Sequence, residues 1–185
     1  MLDIFQIIET CAPTVAPSTM MQIISVESEH RATAIGYKIT RDGKEYRLTK
    51  QPQNIGEARS WATWLLKHGY RFDAGIAQIN SNNFAYYGLT PANVFDACTN
   101  IAVSGKILTT FYLKAVLKYG EGQQALLAAF SAYQSGNFHT GFSTGYVQKV
   151  ATKKIPSRTK FLESIPPLEA LEVIQLDMHD TSPNQ

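Results

Sequence analysis

Charge of one sign is the first thing missing from this sequence. Its 185 residues carry 17 Lys and Arg against 15 Asp and Glu, so no bulk field argues for nucleic acid or a membrane surface. The residues of a metal centre are missing too. Two cysteines, Cys11 and Cys98, stand far apart and the four histidines are scattered, which excludes a zinc centre; no metal or other cofactor is expected. Such a cysteine pair is either two buried thiols or one bridge closing a long loop in an oxidising compartment, and the pattern alone leaves both open. Long apolar runs are absent as well. The opening "MLDIFQIIET" has an early acid, Asp3, no basic stretch and only a short greasy run, so it reads neither as a signal peptide nor as a membrane span. If the protein works outside the cytoplasm, its export signal has been removed. There is no internal repeat.

What is present is enough apolar matter, 44% of the residues, for one compact domain with its own core. Residues 1–155 hold 15 basic against 10 acidic side chains, and the last 30 hold 2 against 5. A mildly basic body followed by an acidic, Pro-punctuated stretch divides the chain into a domain over 1–155 and a tail over 156–185. Within the domain, Ile4, Phe5, Ile7 and Ile8 predict a first helix facing the core. Ser18 or Thr19 is placed to cap a second helix running to about Glu29. Alternation through Ile35, Tyr37 and Ile39, a turn at Asp42-Gly43 and a return through Tyr46 and Leu48 predict a β-hairpin. Asn54 and Glu57 open a third helix that Lys67, His68 and Gly69 close, with Trp61, Trp64 and Leu65 expected in the core. The stretch "YRFDAGIAQINSNNF" reads as a loop entering a short helix. Asp96 caps a long helix through Tyr119, another ends at Ser135-Gly136, and a short last one is capped near Thr144. The fold class is α+β: predominantly helical, with one small hairpin.

The stretch "MMQIISVESEH" places two glutamates two positions apart. At about 100° per residue, Met20, Ile23, Ile24 and Glu27 share one face, while Glu29 lies nearly opposite beside Gln22 and Ser25. Glu27 therefore continues the buried stripe. Desolvation penalises its charged form and raises its pKa, which suits an acid that must keep a proton near neutrality. A second reading pairs Glu27 with an arginine such as Arg31 or Arg71.

Read with "DAGIAQINSNNF", the Glu27-Ser28 start of "ESEHRATAIG" resembles the lysozyme-like lytic transglycosylases. Within them it resembles the VirB-type branch, small peptidoglycan-cleaving enzymes of type IV secretion and conjugation systems. Four further blocks agree in order: "CAPTVAPSTMMQIISVES", "DACTNIAVSGKIL" with its Cys-x-Asn-Ile pattern, "ALLAAFSAYQSGN" and "GYVQKV". Together they cover roughly residues 8–150. The resemblance implies cleavage of peptidoglycan glycan strands between N-acetylmuramic acid and N-acetylglucosamine, with Glu27 as the single catalytic acid and base. It also implies a groove lined by Gly75, Ile76, Gln78, Asn80, Tyr133 and Tyr146. Gly75 would let backbone approach the sugar, Gln78 and Asn80 would hydrogen-bond it, and Tyr133 and Tyr146 would offer a ring to sugar and a hydroxyl to Glu27. The positions of Cys11 and Cys98 fit the branch, which favours the disulfide. A periplasmic location follows, with secretion-system subunits as partners through the tail, and neither nucleic acid nor a membrane span.

Three positions depart from the family pattern. Ala77 stands where a methionine is usual, which would widen a subsite; Gln134 replaces an asparagine; and Gly36 replaces a serine that commonly bonds the glutamate. Two rival readings stay open. Asp73 occupies the place of the second carboxylate of animal lysozymes, so a Glu27/Asp73 pair would make the enzyme a hydrolase. A wall-binding assembly scaffold without turnover is the other.

Overall fold

The computed structural model describes residues 3–41 and 44–156. Residues 1–155 form one compact unit. The expected Asp42-Gly43 turn and nearly all of the tail lie outside the described residues.

Helix α1 (Ile4–Cys11) starts on a reciprocal cap, in which Asp3 accepts from the Gln6 N–H and Gln6 answers through its side chain. It buries Phe5 and Ile8. Helix α2 (Pro17–Glu27) begins earlier than a cap at Ser18 or Thr19 would place it. Pro17 fills the first helical position, where its missing N–H costs nothing, and neither Ser18 nor Thr19 caps it. Met20, Met21, Ile23 and Ile24 are at most 1% exposed, each contributing about 1.5–3 kcal/mol of apolar burial. The helix stops at Glu27, short of Glu29, because Glu29 and His30 take positive φ angles of 53° and 68°.

The expected hairpin is present as β2 (Lys38–Arg41) and β3 (Lys44–Arg47), paired antiparallel. Ile35 does not belong to it. Ile35 and Gly36 form a separate strand, β1 (Ile35–Gly36), against β4 (Asp73–Ala74), which in turn pairs with β5 (Ile79–Asn80). The stretch read as a loop is thus the centre of a second small sheet, in order β1-β4-β5. Its strands are two residues long, too short for alternation to reveal.

Helix α3 (Ile55–Lys67) is capped by Asn54, whose side chain accepts from the Glu57 N–H at 2.9 Å. Ala58, Ala62 and Leu65 anchor it in the core. Trp61 and Trp64 do not: they are 37% and 45% exposed, against expectation. A 3-10 turn and helix α4 (Phe84–Tyr87) lead to α5 (Ala97–Tyr119), the longest helix, capped by Asp96 through both the backbone and the hydroxyl of Thr99. Helices α6 (Gln123–Ser135), α7 (Thr140–Ser143) and α8 (Tyr146–Ala151) complete the domain; Gly145, not Thr144, precedes α8. The α+β class holds; among the described residues there are two small antiparallel sheets rather than one hairpin.

Cys11 and Cys98 are bonded, joining the end of α1 to the start of α5 across 87 residues. A tie over so long a loop removes on the order of 4–5 kcal/mol of freedom from the unfolded chain in the loop-closure picture. No helix among the described residues is long and apolar enough to cross a membrane.

Candidate active site

Glu27 is the last residue of α2, where the buried stripe reaches a groove of about 650 Å³. Protein surrounds its carboxyl closely, yet the groove leaves it partly open to solvent. Its partner is the hydroxyl of Tyr146, at the first position of α8, which donates to Oε1. Neither candidate arginine takes that place: Arg31 Nε turns back to the Ser28 carbonyl at 3.1 Å, and Arg71 lines the groove. Burial pushes the carboxyl up to about 7. The Tyr146 hydrogen bond opposes this, the charge of Asp73 adds to it, and Lys149 pulls it back. The result is an acid balanced between its two forms at neutral pH, which a group that must give and then recover a proton requires. Glu29 is exposed.

The floor of the groove is the β4–β5 hairpin. Asp73 faces Asn80 directly across the strands, and Asn80 Nδ2 donates to Asp73 Oδ1 at 2.8 Å. Burial raises the Asp73 pKa and that hydrogen bond restrains the rise. Asp73, Gln78 and Asn80 all line the groove with Glu27. Gln78 sits at φ 50°, and its amide donates to the Ala34 and Gly75 carbonyls at 3.0 and 2.8 Å. Gly36 makes room for it, since a Cβ there would stand 2.6 Å from Gln78 Oε1.

Gly75 and Ile76 are brought near the site but not onto the groove wall; both are buried behind it. Gly75 needs its φ of 81°, and a Cβ there would meet Asn100 Nδ2 at 2.2 Å and the Val94 carbonyl at 2.8 Å, so its close approach is to protein. Ala77 is likewise wholly buried, so its small side chain does not widen the groove. Tyr133 presents its ring to the groove, but its hydroxyl donates to the Ala77 carbonyl at 2.7 Å and bonds Ser104 Oγ at 2.8 Å. Of the two tyrosines only Tyr146 orients Glu27. Gln134 lines the groove and accepts from Thr144 Oγ1 at 3.1 Å.

Two residues to which the sequence assigned no role hold this floor. Asn100 on α5 is fully buried and staples the turn three times: Oδ1 accepts from the Ala77 N–H at 2.9 Å, and Nδ2 donates to the Ala74 and Val94 carbonyls at 2.9 and 2.8 Å. Ser28 Oγ donates to the Ile76 carbonyl at 2.6 Å, tying the end of α2 to the same turn. The signal for Asn100 was its place in the Cys-x-Asn-Ile block. Among the described residues no three His, Cys, Asp or Glu side chains converge on a metal-sized point.

A family model described as "Transglycosylase SLT domain" matches residues 5–156. Among characterised proteins, the chain is 43% identical over 156 residues to "Type IV secretion system protein virB1" of Brucella abortus biovar 1 (strain 9-941) and, to the same degree, to that of Brucella suis biovar 1 (strain 1330). It is 37% identical over 142 residues to "Protein virB1" of Agrobacterium fabrum (strain C58 / ATCC 33970). The matches cover 81% and 77% of this chain, and 63% and 55% of the Brucella and Agrobacterium relatives. No solved structure matches the chain.

Proposed function

We propose, because this chain belongs to the transglycosylase SLT domain family, that it is a peptidoglycan lytic transglycosylase with Glu27 as its one acid and base. The supporting observation is a half-open carboxyl, raised to about 7, on a groove wall and held by a tyrosine hydroxyl. Protonated Glu27 gives its proton to the oxygen linking N-acetylmuramic acid to N-acetylglucosamine, and the bond from C1 to that oxygen breaks. The carboxylate, steadied by Tyr146, then takes the proton of the muramic C6 hydroxyl. The C6 oxygen bonds C1 and closes a 1,6-anhydro ring. Glu27 ends protonated, as it began, and no water is consumed.

Asp73 supports a second reading, because it lines the same groove and its charge acts on Glu27. In that case water would complete the reaction and leave a reducing sugar. Against it, Asn80 occupies one Asp73 oxygen, which suits a brace for the hairpin better than a nucleophile. Mass spectrometry of fragments released from purified cell wall distinguishes the two. We expect muramic ends lighter by one water, and a reducing end overturns the anhydro reading.

The printed name of the Brucella relatives, "Type IV secretion system protein virB1", supports a role beside such a system. On this reading the protein works in the periplasm, opening the wall locally where a type IV apparatus assembles. Residues 1–155 are the catalytic domain, and residues 156–185 are a tail that docks onto a subunit of that apparatus. Deleting the tail should spare wall digestion and weaken assembly; equal loss of both would make it part of the catalytic fold.

A further inference from the structure

Helix α3 is anchored by Ala58, Ala62 and Leu65, all fully buried, so it does not need its tryptophans for packing. Trp61 and Trp64 nevertheless stand together on its outer face, their rings 6.0 Å apart and edge-on. Trp64 stacks on Tyr70 at 5.7 Å and on the exposed His68 at 4.2 Å. Tyr70 meets Tyr37 at 5.6 Å. The rings form a ladder with a direction, since Tyr37 lines a second cavity of about 460 Å³. That cavity shares Arg71, Asp73 and Asn80 with the groove of Glu27. The ladder therefore starts where the catalytic groove continues and runs outward along α3.

We propose that this ladder, Tyr37–Tyr70–Trp64–Trp61, is a distal track for the glycan strand, gripping sugars beyond those at the scissile bond. The proposal rests on the glycan-cleaving function given above. Sugars offer apolar C–H faces rimmed by hydroxyls, and the exposed rings of Trp61 and Trp64, continued inward by the half-buried Tyr70 and Tyr37, suit that surface. A protein partner would also suit exposed tryptophans, but the continuity with the groove favours the polymer already threaded through it. The consequence is a preference for long strands, earned away from the chemistry.

Trp61 and Trp64 are the only tryptophans in the chain, so its indole fluorescence reports on this patch alone. The test uses the full chain carrying Glu27→Gln, titrated with purified long glycan strands and with a muramyl tetrasaccharide. Long strands should shift the emission and the tetrasaccharide should not. Adding Trp64→Ala should weaken long-strand binding about three- to tenfold, the range for one aromatic contact. Trp64→Tyr should restore most of it, which separates a lost ring from a disturbed fold. Long strands that co-sediment with the protein without changing its emission overturn the track, as does Trp64→Ala binding them as tightly as its parent. An emission change driven only by a secretion-system protein also overturns it, in favour of a docking surface. If no glycan of any length binds and the wild-type chain releases no fragments, the proposed function itself fails and the track falls with it.

Discussion

Helices α2 and α3 both carry large apolar side chains at helical spacing, yet α2 turns all of its own inward and α3 turns its two largest outward. The inward stripe ends in a carboxylate and the outward one in a row of rings. In each helix the anomalous residue is the informative one. An acid that burial should exclude is the proposed reacting centre, and tryptophans that burial should recruit form the proposed track. The apolar residues around them do the ordinary work of anchoring.

The comparison can be broken most sharply at Glu27. Glu27→Gln keeps the shape but removes the proton, and wall digestion should fall by about two to four orders of magnitude, as for loss of a general acid. Unchanged digestion would remove α2 from the chemistry. The anchoring claim is tested next by paired truncations followed by thermal or denaturant unfolding. Ile24→Ala should cost about 2–5 kcal/mol and Trp61→Ala within about 1 kcal/mol, because only the first leaves a cavity.

A smaller effect follows from linkage. The folded pKa of Glu27, about 7, lies above its ordinary 4.5. Its contribution to stability is therefore complete below pH 4.5 and drains away as pH rises through 7. Glu27→Gln should then be more stable than wild type at pH 8, by on the order of 1–3 kcal/mol, with no such gain at pH 4. Tyr146→Phe sharpens the same point. It removes a donor that favours the carboxylate, so the pH at which activity falls should move upward, while the peak rate drops by about tenfold or more. The smallest expectation is Glu29→Gln, on the wet side of the chain just past α2: no measurable change in rate.

Much of the architecture was legible because its signals are local. Asp96 and Asn54 cap the helices they were expected to cap, and Gly136 ends α6, since each choice is made within a turn of backbone. The inward face of α2 was legible from angular spacing alone, and so was the separation of Glu27 from Glu29. Spacing says which residues share a face, however, and not what that face meets. That is why Trp61 and Trp64 were expected inside. The β1-β4-β5 sheet was hidden because its strands are too short to alternate and its partners lie far apart in sequence. The role of Asn100 was hidden for a related reason: the Cys-x-Asn-Ile block marks the residue, but its three partners lie 6 to 26 positions away. Gly75 showed that a glycine was needed, but only the packing reveals that the neighbour it admits is a buried amide.

The link between Cys11 and Cys98 bears on when the molecule matures. The end of α1 rests on α5 at a point where Gly105 leaves just enough space for Ala12. While both thiols are reduced, that fit lacks its covalent tie and the contact loses what the closed loop contributes. Oxidation fastens it for good. The firmest form of this helix contact is therefore the one that an oxidising compartment provides.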